Sequence, residues 1–272
     1  MRKALLTLTA IAVFMTIGRG QSFEGTIEWR TKYNITDKDA LAQGEVAKKM
    51  LADPSTQENL RLLEEKMQDS AFRAKVDADP MLREKIKSAL LIKASGGDLN
   101  KMMPTSVTLI IKGNNTLFTL HGGVVNNEQV LYFGDKKMEY NIEPDNKVYY
   151  LVGEEREKKG TNSITKAKET MKILNFTCNK YLITRTEDSG QAATFIYWVT
   201  EEIKGIDMSV LADSEVGTDN KLFFDEIKGV PLKIERIDSK GELLFECTSF
   251  KKEEISSAAL MLPEGYKELK PE

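Results

Sequence analysis

Between Phe23 and Asn34 the chain alternates almost without error. Phe23, Gly25, Ile27, Trp29, Thr31 and Tyr33 fall on one face of an extended segment, and Glu24, Thr26, Glu28, Arg30, Lys32 and Asn34 fall on the other. A side-chain period of two defines a half-buried β-strand. The two faces are not interchangeable. A one-residue slip would bury Glu28 and Arg30 in place of Ile27 and Trp29, and unpaired buried charge is costly. A chain that opens this way needs a sheet with a covered face.

The texture changes at Asp37. Residues 37–103 hold a single aromatic, Phe72, and five of the 11 methionines. Ala52-Asp53-Pro54 and Ala78-Asp79-Pro80 each put Asp at an N-cap and Pro at the first helical position, where its missing N–H costs nothing. Leu60, Leu63 and Met67 then share a helical face, as do Leu82, Ile86 and Leu90. The pattern predicts three or four short helices ending near Gly96-Gly97. From Thr105 onward the strand texture returns, with 16 of the 21 aromatics. Gly113-Asn114-Asn115, Gly134-Asp135-Lys136 and Glu143-Pro144-Asp145-Asn146 read as turns between short strands. Ile164, Ala167, Met171 and Leu174 are spaced as one face of a short helix. Strands are expected over 177–184, 193–200, 221–226, 230–236 and 242–250. Residues 201–220 read as a polar loop anchored by Ile203, Met208 and Leu211.

Residues 1–20 have the layout of a secretory signal peptide. Met1-Arg2-Lys3 is a basic start, residues 4–17 are an apolar run, and Gly18 and Gly20 flank a cut before Gln21. The run is short for a membrane span, and no later segment approaches that length, so a membrane-spanning chain is not expected. No Cys lies near the cut, which disfavours a lipid anchor. Loss of Arg2, Lys3 and Arg19 would take the formal charge from −3 to −6. The expected product is acidic and exported, periplasmic or secreted.

Composition narrows the function classes. The chain has 272 residues, 41% hydrophobic and 30% charged, which is enough to bury a core without metals or staples. With pI near 5.6 it has no global positive field to invite nucleic acid. One histidine, His121, and two cysteines leave little for a zinc site or a histidine-based triad. No spacing of Ser, Lys or carboxylates singles out a pair. The expectation is therefore a protein that is not an enzyme and carries no cofactor or metal. Cys178 and Cys247 lie in strands and point inward. An exported protein meets an oxidant, so they are open either to a disulfide or to a role as two separate buried thiols. Ile27, Trp29, Phe118, Tyr132, Tyr149, Phe195, Tyr197 and Trp198 are the candidates to line a cavity for an apolar ligand. The same residues could instead make a filled core.

Several short blocks carry a resemblance. They are Ser22-Phe23-Glu24-Gly25-Thr26-Ile27, Met102-Met103-Pro104 leading into Leu109-Ile110-Ile111-Lys112-Gly113, residues 173–181 (ILNFTCNKY), Gly229-Val230-Pro231-Leu232 and Leu262-Pro263-Glu264-Gly265-Tyr266. Together they resemble a family of secreted Bacteroidota proteins classed as a domain of unknown function. That family is similar in architecture to the lipoprotein carriers LolA and LolB. The resemblance implies a half-open antiparallel barrel, with helices as a lid, that holds acyl chains.

The expected fold is α+β, a curved antiparallel sheet or half-open β-barrel from residues 21–36 and 104–272. A helical segment, 37–103, is inserted into it. The expected function is non-catalytic binding of an apolar ligand such as a lipid or lipoprotein acyl chain. The alternative is a structural or protein-interaction module of the cell envelope with a filled core and an envelope protein as partner.

Overall fold

The N-terminal alternation becomes strand β1, Glu24–Ile35, with Phe23, Ile27, Trp29 and Thr31 buried. The computed structural model describes residues 22–153, 161–186, 192–214 and 222–269. The signal-peptide stretch and the Gly20–Gln21 cut lie outside the described residues. Helices follow β1: α1 Lys38–Ala52, α2 Pro54–Met67, α3 Ser70–Ala78, α4 Pro80–Ser95 and the single turn α5 Leu99–Met102. Then come β2 Ser106–Lys112, β3 Asn115–His121, β4 Gln129–Phe133, β5 Met138–Glu143 and β6 Val148–Gly153. The second half holds β7 Thr161–Ile173, β8 Phe176–Thr186, β9 Ala192–Thr200, α6 Met208–Asp213, β10 Val230–Asp238, β11 Gly241–Lys252 and β12 Lys267–Glu268.

Among the described residues, these twelve strands form one sheet in the order β12-β6-β5-β4-β3-β2-β1-β11-β10-β9-β8-β7. It is not closed into a barrel. Every pairing is antiparallel except the short β12–β6 contact. β1 sits at the centre and joins the two meanders, pairing with β2 on one side and β11 on the other. The sheet curls. Phe176 on β8 lies three strands from Phe250 on β11, which on a flat sheet is roughly 14 Å, yet their ring centroids are 5.4 Å apart. Gly25 of β1 is needed for close packing. A Cβ there would stand 2.1 Å from the Lys251 carbonyl oxygen and 2.7 Å from the Phe23 ring.

Among the described residues, every α-helix begins on an aspartate. Asp37, Asp53, Asp69, Asp79, Asp98 and Asp207 each accept a hydrogen bond from a backbone N–H two or three residues on. This satisfies an otherwise orphaned donor. Asp69 starts a helix without a following proline, so the insert has one more helix than the Asp-Pro signals indicate, plus the α5 turn. Gly96, with φ 62°, ends α4 in the left-handed conformation.

Two sequence expectations are corrected. Residues 164–174 are not helical; 164–173 belong to the edge strand β7 and Leu174 starts the turn that follows it. Its ladder with β8 slips between Lys166 and Thr170, placing extra residues in β7. That slip gives Ile164, Ala167 and Met171 the three- and four-residue spacing of a helix. Of the strand expected over 221–226, Lys221 lies outside the described residues, and residues 222–226 are not a strand. Leu222, Phe223 and Phe224 are all buried in succession, which a strand with one solvated face cannot achieve. A turn follows, Ile227 N–H donating to the Phe224 carbonyl at 3.3 Å.

Candidate functional site

The pairing register decides which predicted residues share a face. Ile27 stands opposite Leu109, Leu109 opposite Phe118, and Phe118 opposite Val130. Tyr132 lies two residues further along that face. On the other flank the row runs Thr31, Phe245, Ile234, Tyr197, with Phe195 beside it. Ile27, Trp29, Phe118, Tyr132, Phe195 and Tyr197 are therefore together on the inner side of the curl, and all are buried.

Tyr149 is not with them, and Trp198 only borders their core. Tyr149 is paired with Ile142 and packs with the second, smaller cluster on the opposite side of the sheet. Trp198 follows Tyr197 directly, so it does not share the centre of the inner face, and it packs only at the margin of that core. It is half-buried, with the Lys180 ammonium 5.7 Å from its ring centroid.

The inner face is filled by the chain itself. The connection from β9 to β10 lays Ile203, Leu211, Leu222, Phe223, Phe224 and Ile227 against it. Phe223 sits 6.3 Å from Trp29 and 6.0 Å from Phe118, centroid to centroid. Phe224 sits 5.3 Å from Phe195 and 5.7 Å from Tyr197. These are packing distances for aromatic pairs. The polar ends are satisfied too: Tyr197 donates its hydroxyl to the Leu222 carbonyl, and Trp29 Nε1 donates to the Pro231 carbonyl at 3.4 Å. Gly229 lets the connection return to β10, since at φ 109° a Cβ would meet the Thr200 carbonyl oxygen at 2.4 Å.

Cys178 and Cys247 are buried in the same core as free thiols. Burial pushes Cys178 up to about 11 and Cys247 up to about 12. Leu182, four residues on from Cys178 in β8, is turned outward. The His121 ring shares a hydrogen bond with Thr108 Oγ1 at 2.8 Å.

Among the described residues, two pockets lie elsewhere, and neither is lined by a predicted cavity residue. One, of about 530 Å³, opens behind the sheet between Leu117 and Ile142 and the C-terminal segment carrying Leu262 and Tyr266. The other, of about 320 Å³, separates the helices from the sheet. Met67, Val76, Ile86 and Leu90 form its helical wall, and Val124, Val148 and Leu269 form the opposite wall. Lys87 crosses its edge to reach Glu128 at 3.0 Å and Glu143 at 3.3 Å. Burial disfavours the Lys87 charge, but the two carboxylates more than offset this and its pKa is raised.

The helices are thinly packed. Glycines aside, only Val76, Ile86 and Ser95 are buried among the described residues of 38–103. Val46, Met50 and Met81 are exposed at 55%, 57% and 71%. No described helix is long and apolar enough to cross a membrane.

An open, mostly antiparallel sheet with a helical excursion between two neighbouring strands defines an α+β class and no particular chemistry. No family model matches the chain, and no curated protein matches it. A solved structure described as PNGF-II in a C2 space group is similar over 61% of this chain and 28% of that one, at 18% identity and a TM-score of 0.37. The chain thus spans under a third of that protein's length.

Proposed function

We propose that this is an exported, non-catalytic binding module of the cell envelope, whose working surface is the helical segment rather than the inner face of the sheet. The observation that carries this reading is the occupation of the inner face by Phe223 and Phe224. A lipid carrier would keep that face open. The methionine and valine side chains left exposed on α1 and α4 support the helical surface, because flexible apolar side chains adapt to a partner. Benzoylphenylalanine placed at Met50 or Met81 and irradiated in the native envelope should give an adduct of one defined mass. The same probe at Thr194, exposed on β9, should give none. Equal labelling at all three positions, or none at any, contradicts the reading.

A second reading keeps the acyl-chain carrier. It is favoured by one fact: the filling residues belong to a connection and not to a paired strand, so withdrawing them breaks no ladder hydrogen bonds. Saturable binding of a fluorescent fatty acid that is lost in Trp29→Ala would support it. Mature protein from the envelope should begin at Gln21 under either reading, and N-terminal sequencing that finds Met1 would remove export from both.

A further inference from the structure

The pocket between the helices and the β5–β6 turn combines an apolar interior with an unequal distribution of charge. Six ionisable groups line it: Arg73, Arg83, Lys87, Glu128, Glu143 and Asp145. Lys87 bridges Glu128 and Glu143, a trio that keeps one net negative charge on the sheet side, and Asn146 also donates to Glu143 at 2.8 Å. Arg73 turns its guanidinium onto the Met67 carbonyl, at 2.9 and 3.2 Å. Arg83 is half-buried; its backbone N–H donates to the Asp79 carbonyl, while its guanidinium forms no hydrogen bond or ion pair with any described residue. Asp145 stands exposed across the pocket on the turn. The cationic end is thus on the helical side. The apolar floor between is built from Val76 and Ile86, two of the few buried side chains of the insert, and from Val148. The walls are therefore set by the best-packed part of the helices, and the volume falls at the small end of ligand sites.

We propose that this pocket binds a single-chain amphiphile with an anionic head. The alkyl chain lies along Val76, Ile86, Leu90 and Val148, and the head group engages the Arg83 guanidinium. A planar five-donor fork matches a carboxylate in two parallel hydrogen bonds. The alkyl chain supplies affinity by leaving water. The inference rests on the reading of the helical segment as the binding surface and adds the chemistry of a ligand to it.

Titration calorimetry of the purified protein with decanoate, decyl phosphate, decanol and decyltrimethylammonium tests it. Decanoate should bind saturably at one site and decyltrimethylammonium should not; decyl phosphate binding tighter than decanoate would assign the head to a phosphate monoester. Arg83→Gln should weaken decanoate at least about tenfold while changing decanol by less than about twofold. Leu90→Trp should fill the pocket and abolish both, with the cooperative melt retained. Val124→Trp, on the opposite wall, gives the same test should Leu90→Trp not fold. Absence of decanoate binding, equal binding of the cationic amphiphile, or unchanged binding in both tryptophan variants overturns the proposal. Those results leave cross-linking at Met50 and Met81 untouched, so this proposal and the broader reading fail separately.

Discussion

At the scale of single residues, burial controls both the chemistry and the energetics of the inner face. Both thiols are held protonated well above neutral pH by loss of solvent. The native protein should therefore react negligibly with Ellman's reagent at pH 8, and after guanidinium treatment both Cys178 and Cys247 should react. A denatured sample showing no free thiol would establish that a disulfide had formed. Trp29 is almost fully enclosed, with Phe223 against its edge. Trp29→Ala should cost about 3–5 kcal/mol of unfolding free energy, because its neighbours cannot all collapse into the space. Urea titration measures this directly, and a loss below about 1 kcal/mol would show that the side chain borders open space.

At the scale of elements, aspartate caps carry much of the helical segment, since packing supplies so little. Asp53→Ala should destabilise the α1–α2 junction by about 1 kcal/mol. Hydrogen exchange should locate that loss within α2 while the sheet stays protected. The helices leave β1 and return to β2, which is the neighbouring antiparallel strand. Replacing 37–103 by a short Gly/Ser linker should leave a cooperative melt and remove most of the helical circular dichroism, because loop-closure entropy changes slowly with length. Loss of any cooperative transition would place the helices in the folding core.

Elements with a clean local signature were readable from residue order. β1 alternates because one face is buried, and the Asp-Pro starts follow from capping and fixed φ. β7 was not readable, because an edge strand with a slipped register lacks the burial that enforces alternation. The Leu222–Phe224 run was not readable either, since an apolar run in a loop looks like a buried strand until the partner face is known. Tyr149 was misplaced by counting aromatic character ahead of parity, and the adjacency of Tyr197 and Trp198 already shows that both cannot stand at the centre of the inner face. The helical pocket joins residues near 70–90, 124–148 and 269, a conjunction that only the tertiary fold creates.

At the scale of the whole molecule, the curled sheet is closed off by its own β9–β10 connection, and stability at alkaline pH should report that enclosure. Burial raises Tyr33 to about 12, against an ordinary value of 10.0, and the two thiols rise likewise. In each case the unfolded chain loses the proton at lower pH than the folded one. The stabilisation is complete below about pH 9 and is lost as pH rises toward 12. Tyr33→Phe should flatten the part of that decline above pH 10 in a series of chemical melts, and an unchanged slope would remove Tyr33 from the account. The central claim is that Phe223 packs into the inner face against Trp29. A double-mutant cycle with Trp29→Ala, Phe223→Ala and the double variant measures it most directly. The expected result is a coupling energy of about 0.5–3 kcal/mol between the two rings, with each single variant clearly destabilised. Additive effects, with coupling indistinguishable from zero, would mean that the connection does not fill this face and that the space belongs to a ligand.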